Sequence, residues 1–480
     1  MTESLSEPES EERRRGTDGQ SGPGPLTSTL LFKLPHRGLM QFDGISYDLQ
    51  RLYYAFSRLK LEFKGRYDGQ AVRELPNSFR LTLPAPRLSA RVSRQAFAST
   101  LARLVASGTA ASKADLGRIT GLSRTTIDTG VQTLLELGAL RVVGLQSVQG
   151  RGRRAETLAL DPSFGVVMVA DCGASHTSIA IFDLGQRMLG HETIQQQIGA
   201  GPENVLGRLV PLFEKMLRDL GLEDVQRTLV MGLPGPVDHW GGMVVRPPIM
   251  PGWDGYPVVE AASSLIGGRV LLENDVNLRA LGEARAYPPD RGPVAYVKVG
   301  TGIGLGIVSI DGTLLRGADG AAGDLGHVQS NSTTERCDCG NFGCLEAVAS
   351  VRAITRSLAL SDEDGGAVDT LTDLIKRQDV RTLTAVKEAA EHIGDVVVSL
   401  VHILNPERVL IGGNLAFASD HLLSVIRSIV YRRALPLATR NLTMARPALG
   451  QQSGLAGGLA IGIEAEFDPE ALGERLHRRR

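Results

Sequence analysis

Several features are scarce in this chain of 480 residues. Four cysteines are too few for a disulfide scaffold. No run of about 18 uncharged apolar residues occurs, which excludes a membrane-spanning helix. The N-terminus, MTESLSEPESEERRR, contains no apolar segment of the kind that a secretory signal needs. With 42 % apolar and 22 % charged residues, the composition is that of an ordinary globular protein, and we expect it to be cytoplasmic.

Excess charge is also absent overall, because the net charge is −1. Residues 91–154, however, contain ten Lys and Arg against three Asp and Glu, a balance of +7, so the rest of the chain carries −8. A short basic module attached to an acidic body is typical of proteins that bind a polyanion through one compact surface.

The basic module has the pattern of a winged helix-turn-helix. Apolar residues at helical spacing predict three helices, the second and third capped by Ser112 and Ser123. Two strand-like runs, 140–143 and 157–160, follow the third helix. This order of elements assigns residues 91–160 to a winged helix-turn-helix domain.

Two groups of residues in this domain are candidates for contacts with DNA. Short polar side chains on the outer face of the third helix suit the major groove; they are Ser123, Arg124, Thr125, Thr126 and Thr129. Arginines between glycines in the loop that joins the strand-like runs suit the minor groove; they are Arg151, Arg153 and Arg154. The alternative is a basic module that binds protein or is only solvated, but the charge balance favours operator DNA.

The N-terminal 90 residues are read as a separate extension. Residues 1–25 are rich in Glu, Ser, Gly and Pro, so we expect them to be disordered. Residues 26–88 have no clear period, and two interpretations remain open: a small adjunct that packs on the rest, or upstream sequence translated from a misplaced start.

After Asp161 the pattern becomes α/β, and glycine-rich turns follow three strand-like runs. One such turn is explained by tight backbone geometry alone. Three of them indicate a cleft whose backbone amides hold a nucleotide or phosphate. The candidate residues are Asp171, Gly173, Ser175, Gly300, Thr301, Gly302, Gly304, Gly412 and Gly413.

A cysteine cluster predicts a metal site. Cys337, Cys339 and Cys344 lie within eight residues, and His327 precedes them by ten. One imidazole and three thiolates are a complete tetrahedral set for Zn²⁺, which leaves no open position for catalysis. We therefore expect a structural zinc ion rather than free thiols.

Polar residues at another strand end, Glu273, Asn274, Asp275 and Asn277, form a further candidate site. A carboxylate beside an amide can hold a polyol through paired hydrogen bonds, and the carboxylate can take a hydroxyl proton. The competing interpretation is a turn or a helix cap.

Taken in order, these motifs resemble the ROK family of repressors and sugar kinases, over residues 93–464. The most specific are GDLGH and CDCGNFGCLE, supported by MGLPGPVD, PGWDG, ENDVN and GTGIGLGI. The resemblance implies an α/β, two-lobed actin-like ATPase fold: lobe 1 over 161–290, completed by a helix at about 452–466, and lobe 2 over 291–451. A winged helix in front of this fold resembles the transcriptional regulators of the family.

The resemblance also implies roles for individual residues. Asn274, Asp275, Asp324, His327 and Glu346 would bind a sugar, and Asp275 would be the catalytic base in a kinase. His327 would serve both the zinc ion and a sugar hydroxyl, since the metal fixes its tautomer.

Two departures from the kinase pattern matter. Ala174 stands where the kinases have a second glycine, which crowds a backbone that must approach phosphate. Asp324 stands where a glutamate is usual, so its carboxylate is one methylene shorter.

From the winged helix, the sugar motifs and these departures together, we expect a sugar-responsive regulator of carbohydrate genes, a repressor acting as a homodimer or homotetramer on operator DNA. The alternative is an ATP- and Mg²⁺-dependent sugar kinase, or a protein that does both.

Overall fold

The computed structural model describes residues 32–33, 39–40, 78–84, 93–146, 155–330, 334–360 and 366–478. The chain divides into two compact units, residues 1–75 and 76–480. In the first unit, Phe32–Lys33 pairs with Leu39–Met40 as a short antiparallel ladder. The predicted disorder of residues 1–25 and the predicted DNA contacts of Arg151, Arg153 and Arg154 lie outside the described residues.

In the second unit, residues 78–84 precede the predicted helical module. Its elements are α1 (Arg94–Ala106), α2 (Lys113–Thr120), α3 (Arg124–Glu136), β1 (Leu140–Gln146) and β2 (Ala155–Leu160). The strands β1 and β2 pair antiparallel as the wing. Both predicted caps are confirmed: Ser112 Oγ accepts from Asp115 N at 3.1 Å, and Ser123 Oγ accepts from Thr126 N at 3.2 Å. These hydrogen bonds satisfy amide groups that the first helical turn leaves without partners.

Lobe 1 is a five-stranded sheet covered by helices. Its elements are β3 (Val166–Cys172), β4 (His176–Asp183), β5 (Met188–Gln195), α4 (Pro202–Leu220), β6 (Arg227–Leu233), the hairpin β7 (Val237–Asp238) and β8 (Met243–Val244), α5 (Val258–Ile266), β9 (Arg269–Asn274) and α6 (Asp275–Ala286). The strand order is β9-β6-β3-β4-β5. The pairs β9–β6 and β6–β3 are parallel, so their carboxyl ends meet at one edge of the sheet.

Lobe 2 is built on a four-stranded sheet. Its elements are β10 (Val294–Val299), β11 (Ile303–Val308), α7 (Leu345–Ala349), α8 (Val351–Ser357), α9 (Ala367–Lys376), α10 (Val380–Leu404), β12 (Arg408–Gly412), α11 (Asn414–Ala418), α12 (Asp420–Arg433), α13 (Pro436–Thr439) and β13 (Thr443–Ala445). The strand order is β11-β10-β12-β13. None of the helices described here has the length and apolar character that a bilayer span requires.

Two further helices follow lobe 2 along the chain, α14 (Ser453–Glu466) and α15 (Pro469–Arg478). Helix α14 crosses α6 so closely that glycine is required on both: a Cβ at Gly282 would lie 2.1 Å from Ser453 O, and one at Gly457 would lie 1.9 Å from Leu278 O. Helix α14 also packs on strand β3, so it belongs to the core of lobe 1.

The winged helix and lobe 1 share one hydrophobic core. Helix α15 packs on α1, and residues 78–84 add the buried side chains Phe79, Leu81 and Leu83 to that core. Gln186, in the turn between β4 and β5, holds this segment: its amide donates to Leu81 O and Ala106 O and accepts from Leu81 N. Residues 78–84 therefore pack on the winged helix and lobe 1, as the adjunct interpretation of residues 26–88 expects of this segment.

The glycine-rich run after β10 also differs from expectation. Only residues 300–302 form a turn, because β11 begins at Ile303. Gly304 lies inside that strand, where an added Cβ would stand 2.9 Å from Val276 Cγ2 of α6. The glycine at this position thus lets a helix lie against the strand.

A candidate ligand cleft with a cysteine–histidine cluster

The predicted site residues come together around one cavity of about 200 Å³. It is lined by both lobes, because the carboxyl ends of β3 and β9 face the turn at 300–302. Every residue predicted to bind sugar or phosphate lines it except Gly412, while its neighbour Gly413 does. The predicted residues that line the cavity are Asp171, Gly173, Ser175, Asn274, Asp275, Gly300, Thr301, Gly302, Gly304, Asp324, His327, Glu346 and Gly413.

Asn274 has the cap role that the competing interpretation gave it. Its Oδ1 accepts from Val276 N at 2.8 Å and from Asn277 N at 3.1 Å, and its Nδ2 donates to Gly235 O at 2.9 Å. Asn274 therefore fixes the start of α6, where Asp275 and Asn277 are placed against the cavity.

One side of the cavity, which we call the histidine side, is formed by Asn277, His327 and Glu346. Glu346 accepts from Ile303 N at 2.8 Å, and a Cβ at Gly302 would lie only 2.4 Å from its Oε2, so glycine is needed there. Burial raises the pKa of Glu346 above its usual range. His327 Nε2 lies 3.9 Å from Asp324 Oδ1.

The four predicted metal ligands form a compact cluster next to this side. One donor atom from each of His327, Cys337, Cys339 and Cys344 lies within 4.8 Å of the others. Cys339 Sγ and Cys344 Sγ are 3.7 Å apart, and Cys337 Sγ is 3.6 Å from His327 Nδ1. A tetrahedral ion with Zn–S bonds of about 2.3 Å needs sulfur atoms about 3.8 Å apart. The cluster can therefore hold a metal ion, with His327 Nδ1 toward the thiols.

A second side of the cavity, which we call the aspartate side, is formed by Asp171 and Asp275, each with a cation from the chain. Asp171 is 2.8 Å from Arg279 through Oδ2 and 3.0 Å through Oδ1. Lys298 Nζ forms an ion pair with Asp275 Oδ2. Burial raises the pKa of Asp171, although Arg279 opposes that rise. Both carboxylates at this side are thus already neutralised within the chain.

Arg279 and Lys298 line the cavity but were missed from the sequence as site residues. Asn277 also lines it; the sequence placed this residue in the candidate run but gave it no role of its own. Spacing could have indicated Arg279, which follows Asp275 by four residues and so shares its face of α6. Asn277 Nδ2 donates to Glu273 at 2.9 Å, while its Oδ1 is buried and has no partner among the described residues.

The candidate DNA-binding residues of α3 lie on one exposed part of the helix. Ser123, Arg124, Thr125, Thr126 and Thr129 are all exposed, and Arg124 has a side chain 90 % exposed. Asp128 pairs with Lys113 at 3.2 Å, so its negative charge on this face is balanced by a neighbouring cation. Gln132 continues the stripe of Thr125 and Thr129 by helical spacing and was not predicted.

Comparison with known proteins gives one family. Residues 167–465 match the ROK family. The xylose repressor of Caldicellulosiruptor bescii is 27 % identical over 373 residues, 73 % of this chain and 91 % of the repressor. The glucokinase of Thermotoga maritima is 30 % identical over 310 residues, 61 % of this chain and 95 % of the kinase.

A solved structure shares the fold over most of the chain. A ROK family transcriptional regulator, a homolog of the E. coli Mlc protein, superimposes with a TM-score of 0.66 at 23 % identity, covering 80 % of this chain and 99 % of that one. The expected two-lobed actin-like fold behind a winged helix is confirmed.

Proposed function

The chain belongs to the ROK family, and we propose that it is a sugar-responsive, DNA-binding transcriptional regulator, a repressor of carbohydrate genes. The observation that carries this proposal is the single core shared by the winged helix and lobe 1. A DNA-binding module packed into the ligand-binding body is positioned to respond when the lobes move around a ligand.

The winged helix would bind operator DNA through α3. Its exposed N-terminal residues Arg124, Thr125 and Thr129 are short enough or basic enough to contact base edges and phosphates in a major groove. Arg151 and Arg153, expected from the sequence in the wing loop, would contact phosphates or the minor groove. A homodimer or homotetramer would place two such helices on half-sites of one operator in the cytoplasm.

The ligand would be an unphosphorylated sugar. Glu346, His327 and Asn277 present two acceptors and an imidazole to the cavity, the group types that hold sugar hydroxyls. We propose that Zn²⁺ in the cysteine–histidine cluster fixes the His327 ring through Nδ1, so that Nε2 can donate to a hydroxyl. The zinc ion would be structural, because four protein donors fill a tetrahedral shell.

An ATP-dependent sugar kinase is the second candidate, favoured by Asp275 and the turn at 300–302 beside the same cavity. Two observations speak for the regulator instead. Lys298 is paired with Asp275, so a substrate hydroxyl would have to displace this ammonium group from the carboxylate. Arg279 holds Asp171, so a metal-bound nucleotide would have to break that buried pair.

The proposal is tested with the purified full chain and a labelled duplex from upstream of its own gene. Fluorescence anisotropy should show that the logarithm of the binding constant falls linearly with the logarithm of the salt concentration. One sugar of a panel should change the affinity for DNA in the absence of ATP. Arg124→Ala should weaken binding, while Arg432→Ala, an exposed arginine of lobe 2, should not. Binding that ignores every sugar, or sugar-dependent ATP turnover without DNA binding, would refute the regulator.

A further inference from the structure

Arg316 connects the two lobes beside the cavity. It follows a segment that extends the sheet of lobe 2, since Leu314 pairs with Val308 and Leu315 N donates to Ile307 O at 2.9 Å. Its guanidinium reaches Glu273 at the end of β9 in lobe 1, with Nε and Nη2 each 2.7 Å from Glu273 Oε2. The ion pair therefore spans the cleft.

The two oxygens of the Glu273 carboxylate accept hydrogen bonds from different lobes. Its side chain is only 3 % exposed. While Oε2 accepts from Arg316, Oε1 accepts from Asn274 N at 3.0 Å and from Asn277 Nδ2 at 2.9 Å. The guanidinium of Arg316 is thus the nearest cation to a buried carboxylate, while His239 Nδ1 lies 3.8 Å from the same Oε2.

The charged carboxylate fixes the orientation of the Asn277 amide. A carboxylate only accepts hydrogen bonds, so Nδ2 must face Glu273 and Oδ1 must face away from it. That Oδ1 is buried without a partner among the described residues, in a side chain that lines the cavity. An orphaned buried acceptor is costly, and a hydroxyl group of a ligand would satisfy it.

The loop that follows Arg316 is held against lobe 1 at a second point. Ala322 N donates to Arg316 O at 2.9 Å and closes the loop. At its tip, a Cβ on Gly320 would lie 2.8 Å from Val237 O of β7. The chain then continues to Asp324 at the cavity wall. The ion pair of Arg316 with Glu273 therefore holds in place a loop that leads to a residue of the cavity.

We propose that Arg316 is a positioning residue of the sugar site: through Glu273 it orients Asn277 to accept a ligand hydroxyl, and it ties the lobe 2 wall of the cavity to lobe 1. This inference rests on the proposed sugar-binding function. Loss of Arg316 removes both hydrogen bonds that its guanidinium gives to Glu273 Oε2, so the carboxylate can turn and its Oε1 no longer holds the Asn277 amide in this orientation.

The test is isothermal titration of the metal-replete full chain with D-glucose, D-xylose and N-acetyl-D-glucosamine. For the sugar that binds the wild type, Arg316→Gln should weaken affinity about tenfold, and Arg316→Lys should recover part of that loss because it keeps the charge. Asn277→Ala should weaken affinity similarly. The loss in the double variant should be smaller than the sum of the two single losses, since part of the effect of Arg316 passes through Asn277.

Arg227→Gln is the matched control. Arg227 pairs with Glu214 at 2.6 Å within lobe 1, is similarly buried and does not line the cavity, so its loss should leave affinity unchanged. Wild-type affinity in Arg316→Gln, or losses in the two single variants that simply add, would overturn the role of Arg316. If Arg316→Gln does not fold, Arg316→Lys takes its place in the double variant with Asn277→Ala, and losses that add in that pair would overturn the role in the same way. No binding of any of the three sugars to the wild type would instead overturn the proposed function.

Discussion

The two sides of the cavity use their carboxylates differently. On the aspartate side, Asp171 and Asp275 are paired with Arg279 and Lys298, so their charge is satisfied before any ligand arrives. On the histidine side, Glu346 accepts one backbone hydrogen bond, and Asn277 keeps an orphaned acceptor. The histidine side is therefore the side of the cavity whose polar groups are prepared for a ligand.

The largest effect should follow from removing the metal, because the histidine side depends on His327. Cys339→Ser should lose the metal ion and weaken sugar binding by about 10–100-fold, as expected when a fixed imidazole becomes free to rotate. Metal content by mass spectrometry and affinity by titration are the measurements.

Cys172→Ala is the control for metal removal, since Cys172 is buried in lobe 1 outside the cluster. It should retain one metal ion per chain. Full sugar affinity in a metal-free Cys339→Ser variant would show that the histidine side does not need the cluster.

The aspartate side should respond in stability rather than in ligand affinity. Arg279→Ala leaves Asp171 buried without its counter-ion, which should lower the free energy of unfolding by about 3 kcal/mol. Arg118→Ala removes an exposed pair with Asp115 and should cost less than about 1 kcal/mol. Urea unfolding of both variants measures the difference.

The loss in Arg279→Ala should also depend on pH. Burial already raises the pKa of Asp171, so the folded state binds its proton more tightly than the unfolded state does. Stability from this group is therefore present below its unfolded pKa of 3.8 and falls as pH rises above it. Without Arg279 the fall should be larger, and a loss that is equal at pH 4 and pH 7 would contradict the buried-pair explanation.

The sequence predicted most residues on the two sides of the cavity, but not the cations that pair with the carboxylates of the aspartate side. Strands, caps and the metal cluster follow from local patterns, and the family motifs brought Asp275, His327 and Glu346 to one cavity. Lys298 could not be found this way, because an ion pair between the lobes depends on which strand end meets which helix. Arg279 was indicated only by its spacing from Asp275. Residues 78–84 could not be assigned either, because their apolar side chains become informative only when the core that they contact is known.

A smaller effect is expected from removing a charge on the histidine side. Glu346→Gln keeps an oxygen for Ile303 N but loses the charge that strengthens hydrogen bonds to a ligand, which should weaken sugar affinity about tenfold. The metal content should stay at that of the wild type. An unchanged affinity would mean that the prepared side of the cavity lies elsewhere.

The smallest effect should come from the same change on the aspartate side. Asp275→Asn removes a carboxylate that Lys298 already occupies, so sugar affinity should fall only about threefold, within what one ordinary hydrogen bond contributes. ATP turnover should be absent in both the wild type and the variant in a coupled ADP assay. If the wild type turns over ATP with a sugar and Asp275→Asn abolishes it, then Asp275 is a working base despite Lys298. The two sides would then be two parts of one kinase site.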